Sequence, residues 1–582
     1  MNKIRKLISN LKNEGITKTI KKIKKYYSSK EKNEYYKWIK NNTLSKKELN
    51  DQRKEKFNYN PKISIIVPLY NTPKKYLLEL IEYVKNQTYS NWELCLADGS
   101  TKPLEYLQDK IKSDKRIKYK ILKENKGISG NTNEALKLVT GDYVALLDHD
   151  DLIPLNSLYE IVKEINKNPE AEFLFTDEDK FVDIKKKTRY EPNFKPDYAF
   201  DTLTSYNYIC HFSIFKRELM DKLEGFKEEF NGSQDYDLIL RAVENAKEIV
   251  HIPKILYHWR VHPASTASSA EAKPYCFEAG KNAVQEHLKR KGYTQAKMEF
   301  GVAIVRNRAV YEIKEESNVK MFLYLQDERI DLEKLKKDIE NITYNNLEIT
   351  VLVTKKFWNS KLEGKEFNFN QIEKIKETIV VDRENEITKR LNELIKEENK
   401  AKQIIFAKDI QDIKTKDFVE QLLGFVQRGD VGVISPRIIH KYTSTQYNGT
   451  VYRYDDKKQA YLDYIDVAGS FGYITRGAVI QNYSVIKSEC LMVNLEDLKT
   501  RGMLDEKMDY MQSLADLSFE LFNKYKKLNV INPHIELETL EITPELEKTE
   551  FYYKWEKELK VPDPNYNINL KFEKNKIFSI NI

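Results

Sequence analysis

The sequence predicts an α/β protein: a doubly wound, parallel sheet, then an altered second copy of the same layout, with a basic helical segment ahead of both. Three observations predict it. From Lys62 short apolar runs alternate with amphipathic helical patterns, and from about Val319 the alternation begins again. The first 60 residues carry 18 Lys/Arg against 6 Asp/Glu, a balance of +12 in a chain whose total is +8, so the remainder is net acidic. No run of about 18 apolar residues suggests a transmembrane helix. Lysines interrupt the first apolar positions and no small-residue cleavage site follows, so a secretory signal is not expected and a cytoplasmic protein is.

The N-terminal segment, residues 1–57, comes first. Ile4, Leu7, Ile8, Leu11, Ile16, Ile20, Ile23 and Tyr27 recur at mostly three- and four-residue steps among lysines, the pattern of a basic amphipathic helix over residues 1–28. Two readings stay open: peripheral attachment to an anionic membrane surface, or docking on the neighbouring domain or on a second helix within residues 31–56. Nucleic acid is not expected, because no stacking platform or reading motif accompanies the charge.

In the first α/β unit, placed at residues 58–315, ISIIVPL, WELCLAD, IKYKIL and YVALLD are strands. KKYLLELIEYVKNQ, LEYLQDKIK and ISGNTNEALKLV are helices between them. Ligands of such sheets bind beyond the carboxyl ends of the strands. There the sequence sets Pro68 and Tyr70, Asp98 and Gly99, Asn125 and Gly127, and Asp148. Asp148, Asp150 and Asp151 surround one histidine at a strand end, and carboxylates so crowded need water, backbone donors or a cation. A divalent ion on a phosphate-bearing ligand would answer that need: Mg²⁺ and Mn²⁺ favour oxygen ligands, and Mn²⁺ also takes imidazole. His251, His258 and His262 cluster in HIPKILYHWRVHPASTASS. No GxxxxGKS loop and no GxGxxG after the first strand is present. Cys95, Cys210, Cys276 and Cys490 fit neither a zinc spacing nor a disulfide framework. Arg428-Gly429-Asp430 is a tripeptide common by chance and carries no adhesion reading.

PKISIIVPLYNTP, ELCLADGST, NKGISGNTNEAL, GDYVALLDHDD, GSQDYDL and LYHWRVHPASTA stand in the order and spacing of family 2 glycosyltransferases of the GT-A fold. The set resembles the rhamnosyltransferase-like members that build bacterial surface polysaccharides, departing from many relatives at Ala97, where a second aspartate is usual. The resemblance implies an inverting, metal-dependent transferase moving a sugar from a nucleotide-diphospho-sugar, UDP- or dTDP-linked, to a glycan or lipid-linked acceptor. Asp148 and Asp150 match its DxD motif, which holds Mn²⁺ or Mg²⁺ on the diphosphate; His262 matches a histidine that completes the metal site. Asp98 matches the aspartate that binds the pyrimidine, Tyr70 the position beside the base, and Asp235 the general base. His258 and Arg260 are candidates for the metal and the phosphate, against a purely structural strand. Asp151 is expected to cap the following helix and Asp237 to be structural. Work at the inner face of the cell membrane is expected.

The second unit, placed at residues 316–550 with a tail at 551–582, repeats the layout as VKMFLYL, LEITVLVT, ETIVVD and QIIFAKD. Laying SLADLSFE on QDYDLILR puts Leu514 at Asp235 and Asp516 at Asp237, while Ala407 and Lys408 stand where acids are expected and only Asp409 is kept. A degenerate GT-A-like domain, inert and serving acceptor binding or a homodimer, is therefore expected. The alternatives are a bifunctional enzyme with both halves active and a non-catalytic assembly scaffold. A nucleotidyltransferase is disfavoured, since LYNTPKKY lacks a glycine-rich basic loop.

Overall fold

The computed structural model describes residues 30–102, 104, 106–107, 113–184, 188–262, 274–302, 306–442, 445–454, 460–467, 473–540, 550–573 and 576–582. The expected helix over residues 1–28 lies outside them, as do most of LEYLQDKIK and the ASTASS stretch. Among the described residues no helix is long and apolar enough to cross a membrane.

The first sheet contains β1 (Ile63–Leu69), β2 (Trp92–Asp98), β3 (Ile117–Ile121), β4 (Tyr143–Leu146), β5 (Ala171–Phe181), β6 (Arg189–Asn193), β7 (Ser213–Lys216) and β8 (Glu248–Arg260). Its order is β3-β2-β1-β4-β7-β5-β6, with β8 paired to β5. β1 and β2 are buried along almost their whole length, as strands covered on both faces must be. The helix Lys74–Lys85 buries Leu77, Leu80, Ile81 and Val84, one stripe of a 3.6-residue period. β1 to β4 pair in parallel, as their order predicts, and β7 runs antiparallel between β4 and β5, so the sheet as a whole is mixed.

A hairpin of β9 (Lys297–Phe300) and β10 (Asn307–Val310) leads into the second sheet. That sheet comprises β11 (Val319–Leu325), β12 (Leu347–Thr354), β13 (Ile375–Val381), β14 (Gln403–Lys408), β15 (Ile410–Ile413), β16 (Val431–His440), β17 (Thr445–Tyr454), β18 (Ala460–Val467), β19 (Gln481–Tyr483), β20 (Cys490–Asn494) and β21 (Leu528–Thr539). Its path β13-β12-β11-β14-β20-β16, with β21 parallel to β16, repeats β3-β2-β1-β4-β7-β5 with β8 parallel to β5. β20 is antiparallel to both its neighbours, as β7 is.

The likeness reaches single side chains. Tyr89 donates its hydroxyl to the Pro61 carbonyl at 2.6 Å, and Tyr344 to that of Ser317 at 2.6 Å. The Asn133 amide bonds the carbonyl and N–H of Phe226 at 2.8 and 2.9 Å, and Asn392 does the same to Leu504 at 2.9 and 3.0 Å. One framework has been used twice.

The two units share a continuous apolar core that runs from Phe175 and Leu203 through Tyr311 to Val493. Across it Arg428 and Asp201 form an ion pair with both side chains 1% exposed, and Asp201 also accepts from Asn482 Nδ2 at 2.8 Å. Arg428 opens the Arg-Gly-Asp tripeptide and is the part of it that belongs to this buried joint, since Gly429 is exposed and the Asp430 side chain 40% exposed. The tail docks on both units: Asp563 accepts from Ser484 Oγ at 2.7 Å, and Asn567 Nδ2 donates to Asp177 Oδ2 at 2.9 Å and the Lys195 carbonyl at 2.8 Å. At the other end the helix Lys30–Asn42 sets Tyr35 on Asp179 and packs Trp38 edge-on against Phe194 at 5.2 Å.

Candidate functional site

The polar residues expected at the carboxyl ends of the strands do gather at one edge. Asp98, the last residue of β2, is buried and accepts from the Tyr119 hydroxyl at 2.5 Å and the Ser100 N–H at 2.9 Å. Tyr70 is exposed just past β1, and Asn71 beside it, at φ +49°, ties this loop to Thr101 by a 3.1 Å bond. Gly99 must be small, because a Cβ there would lie 2.8 Å from Asn131 Nδ2. Gly127 sits at φ +74°, which glycine adopts without cost. Asn125 turns onto its own loop, accepting from the Gly127 N–H at 3.1 Å and Asn131 Nδ2 at 2.9 Å. Its Oδ1 thereby holds the turn that leads into the helix Gly127–Leu136.

The acidic loop after β4 is divided among three tasks. Asp150 Oδ2 lies 2.7 Å from His262 Nε2, and both side chains are 18% exposed. A carboxylate and an imidazole so placed are a donor set suited to a divalent ion. Asp148 points into the cleft with 47% of its side chain exposed. Its enclosure by the cleft walls and the Asp150 charge beside it raise its carboxyl above the usual range, against the pull of His211. Asp151 is buried, accepting from the Tyr257 hydroxyl at 2.6 Å and the Arg260 N–H at 2.6 Å. Burial, then the charges of Asp150 and Asp148, push its carboxyl well up despite those two bonds.

The capping role expected of Asp151 is therefore corrected. The next helix, Ser157–Lys167, has Asn156 at its N-cap with no side-chain capping bond, and Asp151 instead fastens the loop to β8. Two other expectations change with it. His258 directs Nδ1 at Asp179 Oδ1, 2.6 Å away in a buried network with Arg189 and Tyr35, so it is spent on packing rather than metal. Burial lowers its pKa, against the pull of Asp179. Arg260 is buried between the rings of Tyr76 and Phe181, at 4.3 and 4.4 Å, donates to the Asp150 carbonyl and pairs with Glu79 at 3.0 Å. It braces the loop that a phosphate would meet and does not itself face the cleft.

On the far wall, Asp235 stands in the first turn of the helix Gln234–Asn245. Its Oδ2 accepts from Asn207 Nδ2 at 3.0 Å and from the Cys210 thiol at 3.6 Å. Burial, then the Asp235 charge, raise the Cys210 pKa, which keeps it a neutral donor. Asp237 is buried in an ion pair with Arg241 at 2.6 Å, the structural role expected of it. Sequence reasoning missed Asn207, Cys210, His211 and Lys195. They lie in an aromatic, proline-rich stretch without periodicity, and the only signal was a histidine beside a cysteine in NYICHF.

Strand register settles what the second unit kept. Counted from the paired residues Ile63↔Tyr143 and Val319↔Gln403, Lys408 occupies the place of Asp148, Asp409 that of His149, and Ile410 that of Asp150. Asp409 is thus not a retained acid of the DxD pair. Its Oδ1 accepts from the N–H groups of Gln326 and Asp327 at 2.8 and 3.0 Å, bracing a loop, and burial raises its pKa to about 6. By the same count Val353 replaces Asp98. Leu514 faces the core, and Asp516 is buried against Arg501 and Trp555, as Asp237 is against Arg241.

Residues 64–224 match the model of glycosyl transferase family 2. Over 466 residues the chain is 32% identical to an uncharacterized protein of Sinorhizobium fredii, covering 77% of this chain and 49% of that protein. It is 24% identical to an O-antigen biosynthesis protein of Myxococcus xanthus, covering 79% of this chain and 36% of that one. With a chondroitin synthase of Escherichia coli it shares 31% identity over 36% of this chain and 30% of the synthase. The chain spans about half or less of the length of these curated relatives.

Proposed function

From the family 2 glycosyltransferase domain that residues 64–224 form, we propose that this chain is an inverting glycosyltransferase of surface polysaccharide synthesis. Its donor is a nucleotide-diphospho-sugar, UDP- or dTDP-linked, and its acceptor a hydroxyl of a glycan or lipid-linked saccharide. The observation that carries the reading is the placement, around one edge of the sheet, of Asp98 at the end of β2, Asp148 and Asp150 in the loop after β4, His262 just past β8 and Asp235 in the first turn of the helix Gln234–Asn245. A catalytic cleft built this way is the expected product of a sheet whose loops share one edge.

In this reading Asp98 and Tyr70 hold the base and Asp148 the sugar-bearing side of the donor. Asp150 and His262 would hold Mn²⁺ or Mg²⁺, which when bound supplies positive charge to the leaving diphosphate. Asp235 accepts the acceptor hydroxyl's proton as that oxygen attacks the anomeric carbon opposite the diphosphate, so configuration inverts. Asn207 and Cys210 aim the Asp235 carboxylate, and Arg260 and Asp151 fix the acidic loop against β8. The second unit, with Lys408, Ile410 and Val353 at the corresponding places, is read as non-catalytic, a support for the first and a surface for acceptor glycan. Work at a membrane face through residues 1–28 remains part of the proposal.

The test is hydrolysis of UDP-, dTDP- and GDP-sugars with Mn²⁺ or Mg²⁺, which needs no acceptor. Turnover of at least one donor is expected; silence across the panel together with no nucleotide binding would turn the reading to a scaffold. Calorimetric titration of Mn²⁺ in the presence of UDP should show Asp150→Ala weakening the ion by roughly 10-fold or more. An unchanged affinity would remove Asp150 from the metal site.

A further inference from the structure

Between Asp148 and Asp235 the cleft wall is residues 207–211, and its most constrained member is His211. The ring is stacked on Tyr257, centroids 4.5 Å apart and planes 6° off parallel, and meets the edge of Trp259 at 5.7 Å. The peptide is clamped from both sides: its N–H donates to Glu178 Oε2 at 3.3 Å, and its carbonyl accepts from the buried ammonium of Lys195. Lys195 Nζ also donates to the carbonyls of Ile209 at 2.6 Å and Thr176 at 2.7 Å.

So held, His211 puts Nε2 4.0 Å from Asp148 Oδ2, with its own side chain 14% exposed. That separation is too long for a hydrogen bond between the two. An oxygen about 2.8 Å from each fits between them at an angle of about 90°. The bland alternative is a histidine used only as an aromatic filler. It does not explain a ring nitrogen turned to a half-exposed carboxylate that, among the described residues, accepts no hydrogen bond. A cation between the two groups is the other alternative. The third nearby carboxylate, Asp151, already accepts from the Tyr257 hydroxyl and the Arg260 N–H, so an ion there would share it with two donors, and Mn²⁺ titration distinguishes such an ion from a hydroxyl.

The second unit supplies an independent observation. By register Glu489 stands at the place of His211 and Lys408 at that of Asp148, so neither member of the pair is kept in the second unit. Positions that share one ligand are expected to be lost as a pair.

We propose that His211 and Asp148 together bind one hydroxyl of the transferred sugar, which makes His211 a determinant of donor choice. This rests on the transferase reading above and deepens it. The contact lies on the sugar, away from the nucleotide pocket at Asp98, and Asn207 and Cys210 of the same wall aim the base.

The experiment compares His211→Phe, which keeps a ring for Tyr257, and His211→Gln, which keeps a polar end, in the full chain. Donor hydrolysis gives kcat/KM, and inhibition by the bare nucleoside diphosphate gives its affinity. For an accepted donor kcat/KM should fall roughly 10- to 100-fold in His211→Phe, with nucleoside diphosphate inhibition changed less than about twofold and His211→Gln recovering part of the loss. A donor whose hydroxyl is replaced by hydrogen should be nearly indifferent to His211→Phe. Three results would overturn the inference: unchanged kcat/KM, an equal loss for donor and bare nucleotide, or weakened Mn²⁺ binding in titrations without nucleotide. If His211→Phe fails to fold, His211→Gln carries the same comparison. Wild-type silence over the whole donor panel would overturn the transferase reading as well, whereas an active wild type with an unaffected His211→Phe would overturn this inference alone.

Discussion

Asp235→Asn is expected to lower sugar transfer to acceptor by about 10²- to 10⁴-fold, the usual contribution of a positioned general base. The substitution keeps the shape of the side chain and a bond to Asn207, so the helix Gln234–Asn245 that carries it should stand. It removes the only function proposed for the group, taking a proton from the attacking hydroxyl. Donor affinity, which the proposal assigns to Asp98 and Tyr70, should stay within about twofold, which places the loss in kcat. Steady-state kinetics with a defined acceptor would decide it. Full transfer by Asp235→Asn would mean that another group is the base, and Asp148, on the same cleft, would be examined next.

The second large effect is on stability. Arg428→Leu leaves the Asp201 carboxylate buried without its main partner, and breaking such a pair typically costs about 3–5 kcal/mol. The guanidinium also lies against Tyr311 at 4.8 Å and Phe200 at 5.0 Å, contacts that join the second unit to the first. Urea denaturation should show the loss, together with separate transitions for the two units if the joint is what makes them unfold as one. Replacing both members, Asp201→Leu with Arg428→Leu, should recover most of the stability, since a buried pair and an apolar pair of similar volume are often equivalent. A cost below about 1 kcal/mol for the single variant would show that the shared apolar core alone holds the units together.

What was legible in the sequence follows from what is local. Strands β1, β2 and β4 are predominantly apolar runs, so their ends, and with them Asp98 and Asp148, could be placed by counting. The duplication was legible for the same reason, because apolar runs persist when surface residues drift. Side-chain direction was not. Asp150 and Asp151 are neighbours in the sequence, yet Asp151 binds a tyrosine and a backbone N–H while Asp150 faces His262. Those choices depend on β8, a hundred residues away. Residues 207–211 were invisible for a different reason. They are held by Lys195 and Glu178 rather than by a helix or strand, and such support leaves no periodic trace. Asp409 illustrates the converse error, since an acid near a motif position looked retained until strand pairing moved it by one residue.

The bond from Asn567 to the Lys195 carbonyl spans 372 positions of the chain. At a ribosomal rate of about 5–20 residues per second, roughly 20 to 70 s pass between the synthesis of these two partners. Throughout that interval the clamp under His211 lacks one of its supports, so a nascent first unit carries its acids but not its finished wall. Transfer competence would then arrive only after Asn567 has been added to the growing chain. Stalled chains ending before Asn567 that hydrolyse donor as fast as the full protein would rule this timing out.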